Sequence, residues 1–220
     1  MKKHIVCLGD SNTHGYCPDP ADCADGLLTP GSLWRFNEEE RWTCLLQKTL
    51  GEEYLVLEEG MSGRTTVFDD PLHEGMSALD VIYPVLKSHE PVALLIVMLG
   101  TNDTKERFRV EADSIAVGME RLCRKAETTE AWLHGKPNIL VIAPPHIGAG
   151  YDRADMGARC DEKSAEIAKY YKDICARRGW SFLDAEGVAE FNTVDFMHLT
   201  RRGHSRLAAK LASLVPELTK

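Results

Sequence analysis

The feature that most constrains the fold is a series of short apolar runs, each followed by turn residues and then by a segment with helical spacing. These runs are apolar at consecutive positions rather than at alternate ones, which is typical of strands buried on both faces of a parallel sheet. They predict five strands: His4–Leu8, Tyr54–Leu57, Val92–Leu99, Asn138–Ala143 and Trp180–Leu183. The strongest run, Val92–Leu99, predicts a central strand.

The segments between these runs carry apolar residues three and four positions apart, which predicts amphipathic helices. The predicted helices are Arg41–Leu50, Gly75–His89, Glu111–Ala126, Ala158–Arg178 and Thr200–Leu214. Pro84 is expected to kink or split the second of them, because proline lacks the backbone N–H that a helix interior needs. Alternating strands and helices predict an α/β fold, a three-layer α/β/α arrangement with a five-stranded parallel, flavodoxin-like sheet. Since no linker or break in composition is visible, residues 1–220 are expected to form a single domain.

Two long polar stretches, Cys17–Glu40 and Pro144–Gly157, show no clear period. Loops of this length in a compact domain are usually functional or form interfaces. Both follow the carboxyl ends of predicted strands, which is where open α/β sheets bind ligands. We therefore expect them to border a binding site or to take part in assembly.

Charge and hydropathy exclude several classes of partner. The chain has 34 acidic and 26 basic residues, a formal net charge of −8, and no Lys/Arg run longer than a pair. A nucleic-acid binder needs a basic stripe to neutralise phosphates, so neither nucleic acid nor an anionic membrane is an expected partner. The longest apolar run is too short to cross a bilayer, and Ile5–Leu8 is too short for the core of a signal peptide. These patterns predict a cytoplasmic protein.

The cysteines and histidines show no metal or cofactor motif. The seven cysteines are odd in number and scattered, without a C-x-x-C pair, which predicts reduced thiols in a reducing compartment. The eight histidines include no H-E-x-x-H, and the chain contains neither a P-loop nor a dinucleotide fingerprint. The sequence therefore predicts neither a metal site nor a cofactor.

Four polar segments follow the first three predicted strands or precede the last predicted helix. They are Gly9–Thr13, Gly60–Thr66, Gly100–Asp103 and Asp195–His198. Each by itself is typical of an ordinary turn or helix cap. Because the carboxyl ends of parallel strands lie at one edge of a sheet, we expect the four segments to converge. Together they supply a serine, a histidine with a carboxylate three residues before it, and polar donors, which are the components of acyl transfer.

On these residues the chain resembles the SGNH (GDSL-type) hydrolase family over nearly its whole length. The resemblance rests on four blocks in chain order: Gly9-Asp10-Ser11, the residues around Gly63, Gly100-Thr101-Asn102-Asp103, and Asp195-Phe196-Met197-His198. The stretches Glu58–Thr66 and Met98–Lys105, together with Arg41-Trp42, are similar to a bacterial arylesterase/acyltransferase branch of that family.

The resemblance implies a role for each matching residue. Ser11 would be the nucleophile of a serine carboxylic ester hydrolase, His198 the general base and then acid, and Asp195 the group that orients the histidine. The backbone N–H groups of Ser11 and Gly63, with the side chain of Asn102, would form the oxyanion hole. The related branch also implies a homo-oligomer that is built from dimers and reaches an octamer.

The residues expected to bind the substrate differ from those of the arylesterase branch. Close arylesterase relatives are apolar and aromatic just after the nucleophile, where this chain has Asn12, His14 and Tyr16. We therefore expect a more polar acyl or alcohol pocket, suited to O-acetylated sugars or small hydroxylated esters. Lys105 and Met197 are predicted to line the same cleft, with a solvated lysine and a packed methionine as the alternatives.

Other functions remain open from the sequence. A lysophospholipase or thioesterase type of acyl hydrolase, acyl transfer to an alcohol in place of hydrolysis, and a non-catalytic binding module would all keep the same fold. The presence of every component of the site favours the enzyme. Asp10 is expected to anchor the turn rather than to react. The α/β-hydrolase elbow G-x-S-x-G is excluded around Ser62, because Arg64 stands at its last position.

Overall fold

A five-stranded parallel sheet forms the centre of the computed structural model, which describes residues 1–23 and 34–220. The strands are β1 (Lys3–Gly9), β2 (Tyr54–Gly60), β3 (Val92–Met98), β4 (Ile139–Ala143) and β5 (Ser181–Asp184). They lie in the order β2-β1-β3-β4-β5, and every neighbouring pair is parallel. The predicted fold class and the five predicted strands are therefore confirmed, with ends that differ by at most three residues.

Five longer helices and two short ones accompany the sheet in the described part of the chain. They are α1 (Ser11–His14), α2 (Trp42–Leu50), α3 (Ala78–Ser88), α4 (Ala112–Glu127), α5 (Arg153–Met156), α6 (Cys160–Arg178) and α7 (Arg201–Leu218). The short helices α1 and α5 were not predicted, and α7 extends past the predicted end at Leu214. Across residues 1–23 and 34–220, no helix combines the length and the apolar character needed to cross a membrane.

Of the kink or split that was predicted at Pro84, the split does not occur, because α3 continues through the proline. The residue whose carbonyl would have accepted the missing N–H is Asp80, which is exposed, so water can bind that carbonyl instead. The opposite side of α3 is buried against the core at Ala78, Ile82 and Leu86. Packing of this face stabilises the helix more than the lost hydrogen bond destabilises it.

Helices cover both faces of the sheet. The side chains of Val6 and Leu8 on β1 belong to the apolar core shared with α3, α4 and α6. Ile5 and Cys7 point the other way, into the core shared with α2 and α7. Because both sides of the strand are buried, its apolar residues are consecutive rather than alternating.

The strand order also places the site. The chain runs from β1 outward to β2 and then crosses back to β3 on the other side of β1. In open α/β sheets, ligands bind outside the carboxyl ends of the strands where the order reverses in this way. Ser11 directly follows β1, and Asn102 lies just beyond β3, so both lie at this point.

The close approach of α1 to the end of β2 requires glycine at position 60. A Cβ atom on Gly60 would lie 2.2 Å from the backbone nitrogen of His14 and 2.7 Å from its Cα. Since these are backbone atoms, relief of the clash would displace α1 and with it Ser11.

We expect Gly60→Ala to lower the free energy of unfolding by about 2–3 kcal/mol, the range for overpacking of a rigid site. Melting followed by circular dichroism would then show a decrease of roughly 5–10 °C. Gly51→Ala is the matched control, because its Cβ meets nothing within 4 Å and only a φ of +72° opposes the substitution. A melting temperature of Gly60→Ala equal to that of the wild-type protein would contradict the close approach.

Candidate active site

Ser11 begins α1 two residues after the end of β1, so its position is set by a strand whose last five residues are buried. The Oδ1 atom of Asp10 accepts a hydrogen bond of 2.9 Å from the backbone N–H of Asn12 and caps the helix. Burial raises the pKa of Asp10. Its side chain is occupied beneath the turn, which agrees with the expected role of an anchor.

The structure brings together three residues that the sequence separates widely. The Oγ atom of Ser11 lies 2.8 Å from Nε2 of His198, and Nδ1 of His198 lies 2.6 Å from Oδ2 of Asp195. If the imidazole donates from Nδ1 to the carboxylate, its Nε2 lone pair is free to accept the serine hydroxyl. Burial opposes ionisation of Asp195, but the hydrogen bond and charge of His198 hold the pKa of Asp195 below its usual value.

A network of hydrogen bonds fixes the turn that carries Asp195 and His198. Oδ1 of Asp195 accepts from the backbone N–H groups of Met197 at 3.1 Å and His198 at 3.2 Å. The side chain of Asn192 donates to the same Oδ1 at 2.9 Å, and its own oxygen accepts from the N–H groups of Val194 and Asp195. The contribution of Asn192 was not predicted, because no sequence motif connects it to the turn.

Phe196 joins this turn to the long loop 144–157. Its φ of +64° is unusual for a non-glycine residue, and its carbonyl accepts a 2.9 Å hydrogen bond from the N–H of Gly148. The ring packs so closely on the loop that a Cβ on Gly150 would lie 2.4 Å from ring atom Cε2. The contacts between loop and ring therefore hold the backbone of the turn in a conformation that it rarely adopts.

The segment after β2 is attached to the end of β1. The carbonyl of Gly9 accepts hydrogen bonds from the N–H of Met61 at 3.1 Å and from the guanidinium of Arg64 at 3.0 Å. The same guanidinium donates to the carbonyl of Glu59. These bonds hold Gly63 beside the nucleophile.

Hydrogen bonds also join the segment that follows β3 to the segment that follows β2. Nδ2 of Asn102 donates to the carbonyl of Arg64 at 3.1 Å, and Oδ1 of Asp103 accepts from the N–H of Thr66 at 2.9 Å and from its hydroxyl. Asp103 is fully buried, and burial raises its pKa to about 6. Through these bonds Asn102 reaches the same cavity as Ser11.

These segments enclose a cavity of about 480 Å³. Most of the predicted site residues line it: the three residues of the hydrogen-bonded chain, Gly63 and Asn102, and also Tyr16, Lys105 and Met197. The ring of Tyr16 covers the imidazole of His198, with 4.6 Å between the ring centroids. Predicted catalytic and substrate-binding residues therefore share one space.

Asn12 and His14 lie outside the lining of this cavity. Asn12 is almost fully buried, and its side chain donates to the carbonyl of Met197 at 3.1 Å and accepts from the N–H of Leu199 at 2.9 Å. It therefore connects α1 to the segment that carries the histidine. His14 is partly buried, and its carbonyl accepts from Arg35. The polarity expected from these two residues is not on the surface of the cavity.

Polar groups reach the cavity from other positions instead. Asp152 and Asp155 line it from the loop 144–157 together with the apolar Met156, while Ser62 and Thr101 line it beside the motif residues. The only sequence signal for the first three was the length of their loop, and we predicted none of these five individually.

Comparison with known proteins gives two kinds of similarity. The model of the GDSL-like lipase/acylhydrolase family matches residues 7–206. An aryl esterase of M. smegmatis is 32% identical, with 98% of this chain and 99% of that chain covered and a TM-score of 0.87. A carbohydrate acetylesterase from Sinorhizobium meliloti is also 32% identical, with coverage of 99% and 100% and a TM-score of 0.87.

A more distant likeness supports the fold alone. The lipase/acylhydrolase of Enterococcus faecalis is 18% identical over 99% of this chain and 97% of that chain, with a TM-score of 0.70. Comparison with curated protein sequences found no match. Because the family model covers most of its length and esterases align with it end to end, the chain belongs to the GDSL-like lipase/acylhydrolase family and is a carboxylic ester hydrolase.

Proposed function

We propose that this protein is a serine esterase that cleaves small carboxylic esters through an acyl-Ser11 intermediate. The observation that carries the proposal is the continuous chain of hydrogen bonds from Ser11 through His198 to Asp195, which opens into a cavity of about 480 Å³. A nucleophile in contact with a base that a third group orients is the general arrangement for covalent acyl transfer.

In the acylation step, the Oγ atom of Ser11 attacks the ester carbonyl while Nε2 of His198 takes the hydroxyl proton. The tetrahedral intermediate then collapses, the bond between the carbonyl carbon and the alcohol oxygen breaks, and His198 returns the proton to the leaving alcohol. Asp195 stays ionised and stabilises the imidazolium that forms in between. The carboxylate is suited to this role because the pKa of Asp195 is held below its usual value by the hydrogen bond and charge of His198, against the opposing effect of burial.

In the deacylation step, a water molecule loses its proton to His198 and attacks the acyl-serine. The acid is released and the proton returns to Ser11. An alcohol bound in the same place would follow the same route and give a new ester, so hydrolysis and acyl transfer compete according to how well the cavity excludes water.

The negative charge that develops on the carbonyl oxygen needs donors in place before the reaction. We assign this role to the backbone N–H groups of Ser11 and Gly63 and to Nδ2 of Asn102. In support, Gly63 and Asn102 line the cavity with Ser11 and are fixed to β1 through the contacts of Arg64. Donors that are already oriented stabilise a transition state without a reorganisation cost.

The substrate is proposed to be a small ester, and a sugar acetate or the acetate of another small alcohol is the class we favour. Relatives of known structure include an aryl esterase and a carbohydrate acetylesterase. Tyr16 and Met197, which line the same cavity as His198, are proposed to contact the bound ester.

We also propose that the protein works as a homo-oligomer in a reducing, cytoplasmic compartment. All seven cysteines are free thiols. The proposed assembly follows the resemblance to the arylesterase branch, which implies a homo-oligomer built from dimers.

We expect Ser11→Ala to abolish hydrolysis of a small acetate ester and labelling by a fluorophosphonate probe, because Ser11 is the hydroxyl in contact with the proposed base His198. Mass spectrometry of the labelled protein would locate the probe. Ser62→Ala is the matched control, since Ser62 is the second serine at the cavity and is expected to leave the label on Ser11. A folded wild-type protein that remains unlabelled would contradict the proposed function.

Asn102→Ala is expected to lower kcat by about 10²–10³-fold with a small effect on KM, since the donor acts on the charge of the transition state. Steady-state kinetics with one small ester would measure both constants. A loss confined to KM would show that Asn102 binds the ground state and is not an oxyanion donor.

Light scattering of the purified protein is expected to show a mass that is an even multiple of the 24.5 kDa chain. A single species at the mass of one chain would overturn the proposed assembly and leave the proposed chemistry unaffected.

A further inference from the structure

Lys105 is held rigidly at the edge of the catalytic cavity. It lies between two short 3-10 helices, Asn102–Thr104 and Glu106–Phe108. Its N–H donates to the carbonyl of Asn102 at 3.1 Å, and its carbonyl accepts from the N–H of Phe108 at 3.1 Å. The residue is only 8% exposed and lines the cavity that contains Ser11.

The ammonium group of Lys105 has no hydrogen bond or ion pair to any residue within 1–23 and 34–220. Asp155 attracts it across the cavity without pairing with it, and Arg107, which repels it, is itself paired with Asp70 at 3.2 Å. Burial and the charge of Arg107 lower the pKa of Lys105. A ligand that fills the cavity removes water from this ammonium, so a ligand that supplies an acceptor would be favoured, because a desolvated cation without a partner costs free energy.

The chemistry of the leaving group places the alcohol part of the ester near the turn 195–198, because His198 must protonate the leaving alcohol oxygen. The loop 144–157 packs on this turn through Phe196 and carries Asp155 to the cavity. Groups attached to the alcohol oxygen would therefore lie in the cavity that Asp155 and Lys105 line.

We propose that Lys105 and Asp155 form a subsite that recognises hydroxyl groups on the alcohol part of the substrate. This inference rests on the proposed esterase function. A hydroxyl group can accept a hydrogen bond from the ammonium and donate one to the carboxylate at the same time. An anionic substituent is disfavoured, because Asp152, Asp155 and Asp195 also line the cavity and outnumber the single lysine.

The subsite predicts discrimination against apolar esters. An ester with a plain alkyl alcohol would close the cavity over Lys105 and leave its ammonium both desolvated and unpaired. Sites built to bind a substrate hydroxyl reject the analogue that lacks it for this reason. We assign this preference for hydroxylated alcohols to Lys105 and Asp155. Asn12 and His14, from which a polar pocket was first expected, do not line the cavity.

The test compares glycerol monoacetate with propyl acetate, which have the same acyl group and the same number of alcohol carbons. The wild-type protein is expected to show a kcat/KM about tenfold or more higher for glycerol monoacetate, the range for hydrogen bonds to a charged group. Lys105→Met, of similar length and without charge, is expected to remove most of this preference, measured as the ratio of the two kcat/KM values.

Two further variants complete the design. Asp155→Asn is expected to reduce the preference for glycerol monoacetate, and it provides a second test if Lys105→Met does not fold. Lys172→Met replaces an exposed lysine on α6 that does not line the cavity. It is expected to leave the ratio of kcat/KM for glycerol monoacetate to that for propyl acetate unchanged. The ratio of two substrates is the informative quantity, because a general loss of folded protein lowers both rates equally.

Several outcomes would overturn the inference. One is an equal kcat/KM for the two esters in the wild-type protein, and another is an unchanged ratio in both site variants. Faster turnover of the acetate ester of glycolate than of glycerol monoacetate would show instead that Lys105 binds a carboxylate. In all three cases propyl acetate is still cleaved, so the esterase function stands, whereas an inactive protein with unlabelled Ser11 would refute the proposed function itself.

Discussion

The carbonyl oxygen of Gly9 is the point on which the geometry of the site depends. It ends β1 one residue before the nucleophile turn, and it accepts hydrogen bonds from the N–H of Met61 and the guanidinium of Arg64. The carbonyl of Arg64 then accepts from Asn102. The ends of three strands are thereby joined through a single backbone oxygen and one buried arginine, and neither of them is proposed to take part in the chemistry.

Buried polar groups of this kind normally destabilise a protein unless each has a partner. Here burial raises the pKa of Asp10 and Asp103 and lowers the pKa of Arg64, so the site carries a real electrostatic cost. The cost is offset by hydrogen bonds that orient the catalytic segments, as Asp10 does at the start of α1 and Asp103 does at Thr66. Rigid support of this type is what holds a nucleophile and its oxyanion donors in a productive arrangement.

Sequence reasoning succeeded where local pattern and physical cause coincide. Consecutive apolar runs indicate strands of a parallel sheet, and polar segments at their carboxyl ends must meet at one edge of that sheet. It allowed a split of the helix at Pro84 that does not occur, because packing of a buried helix face outweighed a local propensity. It also misplaced Asn12 and His14 relative to the cavity, because a short helix that begins at Ser11 turns these side chains away from the lining surface.

By itself, the sequence determined the parallel α/β fold, a net negative charge, and the set of residues that could form a catalytic chain. Only the tertiary structure decided which polar groups line the cavity. Asp155 reaches the cavity through a loop that packs on Phe196, and Lys105 reaches it from between two short helical turns. Such contacts join residues far apart in the chain, and their energy depends on distance and burial, which no local pattern of residues encodes.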